Sequence, residues 1–452
     1  MKRFKLYLII ICVSGISILI HVNAEIFAAA GPISVWEIPS AFSPVGSGAR
    51  AIGMGGAFIA VADDATAASW NPGGLTNLLL PEFSIVTGFN RRKEANTFQM
   101  HPEASGPHHV SEEEINYLSI AYPFRINHYN MIVSLTYQRL YDLNRQWTYQ
   151  YGFHDFMFNL TNTIDYTQDG SLSAIGLSYC IDILPELAFG VTFNFWDDHL
   201  SDNSWYQEYH VTRSGDQMGD PLTAKYDKRE TYIFKGFNMN LGMLWHINEQ
   251  FIFGAVVKTP FKADIEHEVS QSWEERFPLF PEADQVGSNS DIRNEEIQMP
   301  LSYGMGLVYK FSDILYMSGD LYRTDWRDFT YKNENGYESN PINGKSIHES
   351  KMASTHHVRF GAEYLHINKA KNNTIALRVG LFYDPAPAEN NPDDIYGLSL
   401  GAGFTQNDQF SIDIAYQLRI GNDAGQSYLQ EQGFSQDIKE HKFYLSSIVY
   451  IF

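Results

Sequence analysis

Histidines and carboxylates occur in short clusters along this chain: Asp63-Asp64, His108-His109, Asp197-Asp198, Glu266-His267-Glu268, His356-His357 and Asp393-Asp394. Such groups can hold metals or move protons, but each task demands a spacing. Structural zinc wants close pairs of Cys or His, and a calcium loop wants oxygen ligands at alternate positions closed by a glutamate. Neither pattern surrounds these clusters, so no metal is expected and the histidines read as groups on solvated loops or rims. No Ser, His and Asp spacing of a nucleophilic catalyst is found, so an enzyme is not expected. Gly46, Gly48 and Ala51 match a dinucleotide fingerprint on paper. No strand precedes them and no crossover unit follows, so the match is chance and no cofactor is expected.

With no chemistry to position, the elements themselves become informative. Lys2, Arg3 and Lys5 precede an apolar run from Leu6 to Ile20, and small-residue cleavage patterns end at Ala24 and at Ala30. These are the parts of a signal peptide, predicted over residues 1–24 with cleavage after residue 30 as the alternative. Cys12 lies inside the leader, so the mature chain keeps Cys180 alone and forms no internal disulfide. The chain carries 53 acidic against 32 basic residues. Nucleic acid is excluded as a partner, because its phosphates would be repelled. Beyond the leader no apolar stretch is long enough for a membrane helix, yet aromatics make up 14% of the chain. A membrane protein without such helices must be a closed barrel, because lipid cannot satisfy the backbone of an open sheet.

The alternation supports that reading. Phe410, Ile412, Ile414, Tyr416 and Leu418 fall on one face, with Ser411, Asp413, Ala415, Gln417 and Arg419 on the other. The pattern repeats at Tyr396 to Thr405, and the period places Cys180 inward with Gly176 and Ser178. Similar tracts mark about fourteen strands from residue 82 to residue 452, joined alternately by short turns and long polar loops. The fold class is therefore an all-β transmembrane antiparallel barrel, with turns on the periplasmic side and long loops outside the cell. The loops 197–230, 274–298 and 331–351 are expected to be irregular. The chain ends on Phe452, a terminal aromatic.

Between leader and wall, residues 25–81 form a separate region. From Gly46 to Leu75 it mixes small residues with Ile52, Met54, Phe58, Ile59, Val61 and Trp70, too apolar for a solvated tether. The expectation is a compact plug in the lumen, with Asn71-Pro72-Gly73-Gly74 turning the chain toward the wall. Asp63 and Asp64 would cap local N–H groups or pair with lumen cations.

The stretch Ala57-Phe-Ile-Ala-Val-Ala-Asp-Asp-Ala-Thr-Ala-Ala-Ser-Trp-Asn-Pro-Gly73 resembles the plug motif of the FadL/TodX outer-membrane transporters. Gly380 to Pro387 with Asn391 to Asp394 resembles that family's loop before its twelfth strand, and Asp320 to Trp326 its ninth strand. Two departures stand out: Gly73 where Ala is usual, and Ile395 after Asp394 where a basic residue is usual. The resemblance implies passive uptake of long-chain fatty acids or aromatic hydrocarbons across the outer membrane of a Gram-negative-type bacterium. It gives Phe58, Asp63, Asp64, Trp70, Asn71, Pro72 and Gly73 as plug and ligand-path residues. The partners implied are a hydrophobic small molecule and outer-membrane lipids. By likeness to other outer-membrane barrels, Phe452 would be read by the barrel-assembly machinery. Gly48 to Gly56 also resembles PorV-type relatives, so a scaffold for a secreted protein is the alternative.

Overall fold

A computed structural model describes residues 46–154, 158–217, 219–406 and 409–451. The leader, both candidate cleavage points and Phe452 lie outside the described residues. The strands are β1 (Glu82–Phe98), β2 (Gly106–Ile126), β3 (Tyr129–Asp142), β4 (Arg145–His154), β5 (Phe158–Leu184), β6 (Leu187–Asp197), β7 (Ser204–Gln217), β8 (Asp220–His246), β9 (Phe251–Lys258) and β10 (Phe261–Arg276). They continue with β11 (Gln285–Met299), β12 (Ser302–Ser312), β13 (Leu315–Thr324), β14 (Thr330–Lys332), β15 (Glu338–Ser339), β16 (Thr355–Asn368), β17 (Asn373–Tyr383), β18 (Ile395–Gln406), β19 (Phe410–Ala424) and β20 (Phe434–Tyr450).

Fourteen of these close an antiparallel ring in the order β1-β2-β3-β5-β6-β8-β9-β12-β13-β16-β17-β18-β19-β20. The last strand returns to the first, with register from Glu82↔Tyr450 to Phe98↔Phe434. Closure leaves the ring no edge, which is the condition for a sheet in lipid. Every strand expected from the alternation has its counterpart in this ring. β13 is the ninth ring strand and β18 the twelfth, the positions that the quoted segments imply.

The two faces follow the period-two pattern. Ile412 and Ile414 are exposed on the outer face of β19, while Ser411, Asp413, Ala415, Gln417 and Arg419 are buried on the inner one. On β5, Leu177 and Tyr179 face out, and Gly176, Ser178 and Cys180 face in. An apolar outer belt continues around the ring through Phe189, Leu241, Leu307, Phe360, Leu377 and Leu400.

The long connections depart from expectation. Residues 204–217, 261–276 and 285–299, expected mostly as irregular loop, are the strands β7, β10 and β11, and β8 starts at Asp220. The lower half of β5 pairs with β3 and β6, whereas its upper half pairs with β4 and β7. β8 splits in the same way between β6 with β9 below and β7 with β10 above. One side of the barrel therefore continues as a tall wall beyond the apolar belt. Its outward residues meet water rather than lipid, so β10 carries Lys262, Asp264, Glu266 and Glu268 outside while Ala263, Ile265, His267 and Val269 face in. A charged outer row hides a strand from any reading keyed to greasy alternation. On the other side, loops around residues 326–354, 384–394 and 425–433 fold inward.

Candidate ligand path through the barrel

The path has a lower, filled level and an upper, aromatic level. The lower level is residues 46–81, in which a short helix (Ala49–Gly53), a second (Ala67–Trp70) and a 3-10 turn (Pro72–Asn77) follow one another. The first helix lies against β17, β18, β19 and β20, and the 3-10 turn against β3, β5, β6 and β8. Contacts to both sides of the ring place the segment inside it.

Close approach depends on glycines in the wall as well as in the segment. A Cβ at Gly242 would stand 2.8 Å from Gly73 N, and one at Gly380 2.1 Å from Gly55 N. Only glycine lets backbone meet backbone there. Asn71 is fully buried and saturated: Nδ2 donates to Ile59 O at 2.8 Å and to Met243 O at 2.9 Å, and Oδ1 accepts from Gly73 N at 3.0 Å. The first and third bonds stitch the turn, and the second ties it to β8. Pro72 occupies the first turn of the 3-10 helix, where a missing N–H costs nothing. Trp70 Nε1 donates to Ser47 O at 2.7 Å, and the Phe58 ring stands edge-on to Trp70 at 5.8 Å. Asp64 accepts from the N and Oγ1 of Thr66, at 2.8 and 2.6 Å, and so holds a local turn. Asp63 pairs with Arg50 of the same segment.

Side chains to which the sequence reading gave no part in the plug hold the segment to the wall. Asp320 on β13 accepts from the N–H groups of both Phe58 and Ile59, at 2.7 and 2.8 Å. Glu363 on β16 accepts from Arg50 Nε and Nη2, both at 3.1 Å, from Tyr316 OH at 2.6 Å, and from Arg378. Arg378 continues to Asp413 at 2.6 Å. A second network joins His357 and Arg359 to Asp384, and Arg419 to Glu440. Buried charges persist when paired and hydrogen-bonded. For those on strands the signal was present, since Asp320, Glu363, Arg378, Asp413, Arg419 and Glu440 sit on the inner phase, but period two names a face and not a partner. A cavity of about 60 Å³ lies beside the second network, bounded by Ser47, Ile52, Trp70, Arg92, Arg359 and Glu440, with room for a few waters.

Above this level the lumen changes character. Trp147, Trp196, Trp205, Trp326, Phe234, Phe329 and Phe434 belong to one buried cluster, which the tall wall and the inward loops both supply. Trp205 stacks on Tyr232 at 4.7 Å, and Tyr232 on His267 at 4.1 Å. Trp147 meets Phe434 at 5.5 Å and Tyr428 at 6.3 Å. His267 is fixed between Glu295, at 3.0 Å, and Glu230, at 3.4 Å, on opposite sides of its ring. The two carboxylates diverge, and among the described residues no three His, Cys, Asp or Glu side chains converge as metal ligands. His108 is buried beside Trp147, whereas His356 contacts Arg323 at the surface. A separate open groove of about 580 Å³ lies on the outer face of the tall wall between Glu208, Asp227, Arg229, Ser270 and Ser290. Its polar lining offers no surface to an apolar solute.

A family profile described as outer membrane protein transport protein (OMPP1/FadL/TodX) matches residues 41–444. Among solved structures, a Pseudomonas aeruginosa FadL homologue aligns with a TM-score of 0.58 at 12% identity, covering 91% of this chain and 100% of that one. The Ralstonia pickettii toluene transporter TbuX and the Pseudomonas putida toluene transporter TodX each align with a TM-score of 0.55 at 14% identity, over 91% of this chain and 100% of theirs. No curated protein sequence matches the chain.

Proposed function

Because the chain belongs to the FadL/TodX family of outer-membrane transport proteins, we propose that it carries long-chain or aromatic hydrophobic solutes passively across the outer membrane. The observation that carries this reading is the buried aromatic cluster at the long-loop end of the lumen, which an entering solute parts to make its chamber. Apolar solutes cross the polar outer leaflet poorly, and a buried aromatic surface compensates at ~25 cal/mol per Å² of apolar area removed from water. The solute enters between the long loops outside the cell, rests in the chamber, and leaves past residues 46–81.

In this reading residues 25–81 are a hatch and residues 82–452 the barrel, after removal of a leader at 1–24. Phe58, Trp70, Asn71, Pro72 and Gly73 form the hatch's packed face, with Asp63 and Asp64 fixing its turns. Nothing in the path is chemically transformed.

The test is uptake by cells lacking the protein, measured with a radiolabelled long-chain fatty acid and with toluene. Slower entry of one of them, restored by the intact gene, is the expected result, and mass spectrometry of solute extracted from purified protein then names the ligand class. Unchanged uptake of both, with a secreted protein co-purifying on the loops, overturns transport in favour of a secretion scaffold.

A further inference from the structure

Three loops that roof the aromatic cluster are tied together through a single carboxylate. Glu389, in the loop 384–394, accepts from Lys345 Nζ at 2.7 Å and from Asn343 Nδ2 at 2.8 Å, both on the loop 326–354. It also accepts from Gln430 Nε2 at 2.7 Å on the loop 425–433. Its own backbone N–H donates to Ser427 Oγ at 2.7 Å. Few other bonds join these loops: Lys351 N to Glu389 Oε1 at 3.5 Å, Ala353 N to Ala388 O at 3.1 Å, Asn390 N to Lys351 O at 2.9 Å, and Gly425 N to Asp393 Oδ2 at 2.6 Å.

Beneath this knot the same loops place Ile342, Met352 and Tyr428 in the aromatic cluster. The roof is thus apolar below and hydrogen-bonded above. The facing wall is built differently, from continuous ladders such as β5 with β7 from Phe158↔Gln217 to Gly170↔Trp205. Opening the wall means breaking many backbone bonds at once. Opening the roof means exchanging a few side-chain bonds at one carboxylate, with two backbone bonds beside it, for water, which is the cheaper local event.

We propose that Glu389 is the latch of an entry gate: while its carboxylate holds Asn343, Lys345 and Gln430 the roof is shut, and its release admits an apolar solute to the aromatic chamber. The inference rests on the chamber being the solute's first resting place. Glu389 is a positioning residue, because it acts on the loops and touches no solute.

The test uses the purified full-length protein in detergent and a brominated long-chain alcohol, whose arrival in the chamber quenches its tryptophans. Charge-assisted hydrogen bonds of this kind are worth about a factor of ten in an opening equilibrium, so Glu389→Gln and Glu389→Ala should each speed quenching about tenfold. Amide exchange should rise together in residues 340–353, 385–394 and 425–433, with the ladders of β17 and β19 unchanged. Lys345→Met should give a smaller effect in the same three segments. If a Glu389 variant fails to fold, Lys345→Met and Gln430→Leu carry the same comparison. Quenching at the original rate, or faster exchange confined to the loop 384–394, overturns the latch. Faster quenching in the variants alongside cells that show no uptake phenotype supports the latch and overturns the transport reading instead.

Discussion

The two levels of the lumen solve opposite problems with the same wall. At the lower level, glycines such as Gly242 and Gly380 bring backbone against backbone, and buried ion networks around Glu363 and Asp384 lock the contact. At the upper level, the inner face carries Trp, Tyr and Phe, with ring contacts from 4.1 to 6.3 Å. Directional bonds specify one arrangement, whereas aromatic surface accepts solutes of many shapes. The comparison teaches that position is specified by directional bonds in the segment 46–81, whereas the level above it is held by non-directional aromatic packing.

The largest effect should come from breaking the lower level. Glu363→Ala leaves Arg50 and Arg378 each short of a buried partner, and loss of one member of such a network costs about 3–5 kcal/mol. Urea unfolding in lipid vesicles should show that loss, with amide protection falling first at residues 46–60.

A loss of the same order should follow the Asn71→Ala substitution. It strands the carbonyls of Ile59 and Met243 and the N–H of Gly73, each lost partner costing about 1–3 kcal/mol. Limited proteolysis should then cut within 46–75 while heat-modifiable barrel abundance stays normal. Unaltered resistance would show that the segment is held by packing alone.

An intermediate effect is expected at the upper level. Trp147→Ala should weaken binding of an aromatic or long-chain probe about tenfold by removing buried aromatic area, and leave protease resistance at 46–75 unchanged. For a neutral probe, affinity should change less than about twofold between low and high salt, because apolar burial is not screened. Strong salt dependence would move the binding energy down to the ionic level and sharpen the division the other way.

The smallest effect concerns the roof. Burial pushes the Asp393 carboxyl up to about 6, against the N–H of Gly425 that favours its charged form. A raised carboxyl favours folding while protonated, so that contribution is complete below the ordinary value of about 3.9 and is lost as pH rises through about 6. Amide protection in residues 385–394 should fall severalfold, at most about tenfold, from pH 5 to pH 7.5, and Asp393→Asn should flatten the profile. A fall of the same size in the Asn variant would assign it to another group.

Legibility in the sequence followed the solvent that each face meets. Where the outer face meets lipid, as at Ile412 and Ile414 or Leu377 and Val379, greasy and polar residues alternate and the strand reads directly. Where the outer face meets water, as on β10, the charged row Lys262, Asp264, Glu266 and Glu268 resembles a loop, and the wall's upper half went unread. The segment 46–75 was legible as compact from its small and apolar composition. Its partners were not, because Asp320, Glu363 and the wall glycines lie far away in the chain and look like ordinary inner-face residues.

The sequence by itself therefore determined the ring, its strand number and the outward face of strands such as β18 and β19, since these depend on local period and on the length of each connection. Tertiary structure alone decided which inward side chains meet. Contacts across a closed barrel join residues such as Phe58 and Asp320, or Arg50 and Glu363, that no local pattern relates. The same holds for the roof, where Glu389 gathers donors from three loops whose sequences share nothing but their place above the chamber.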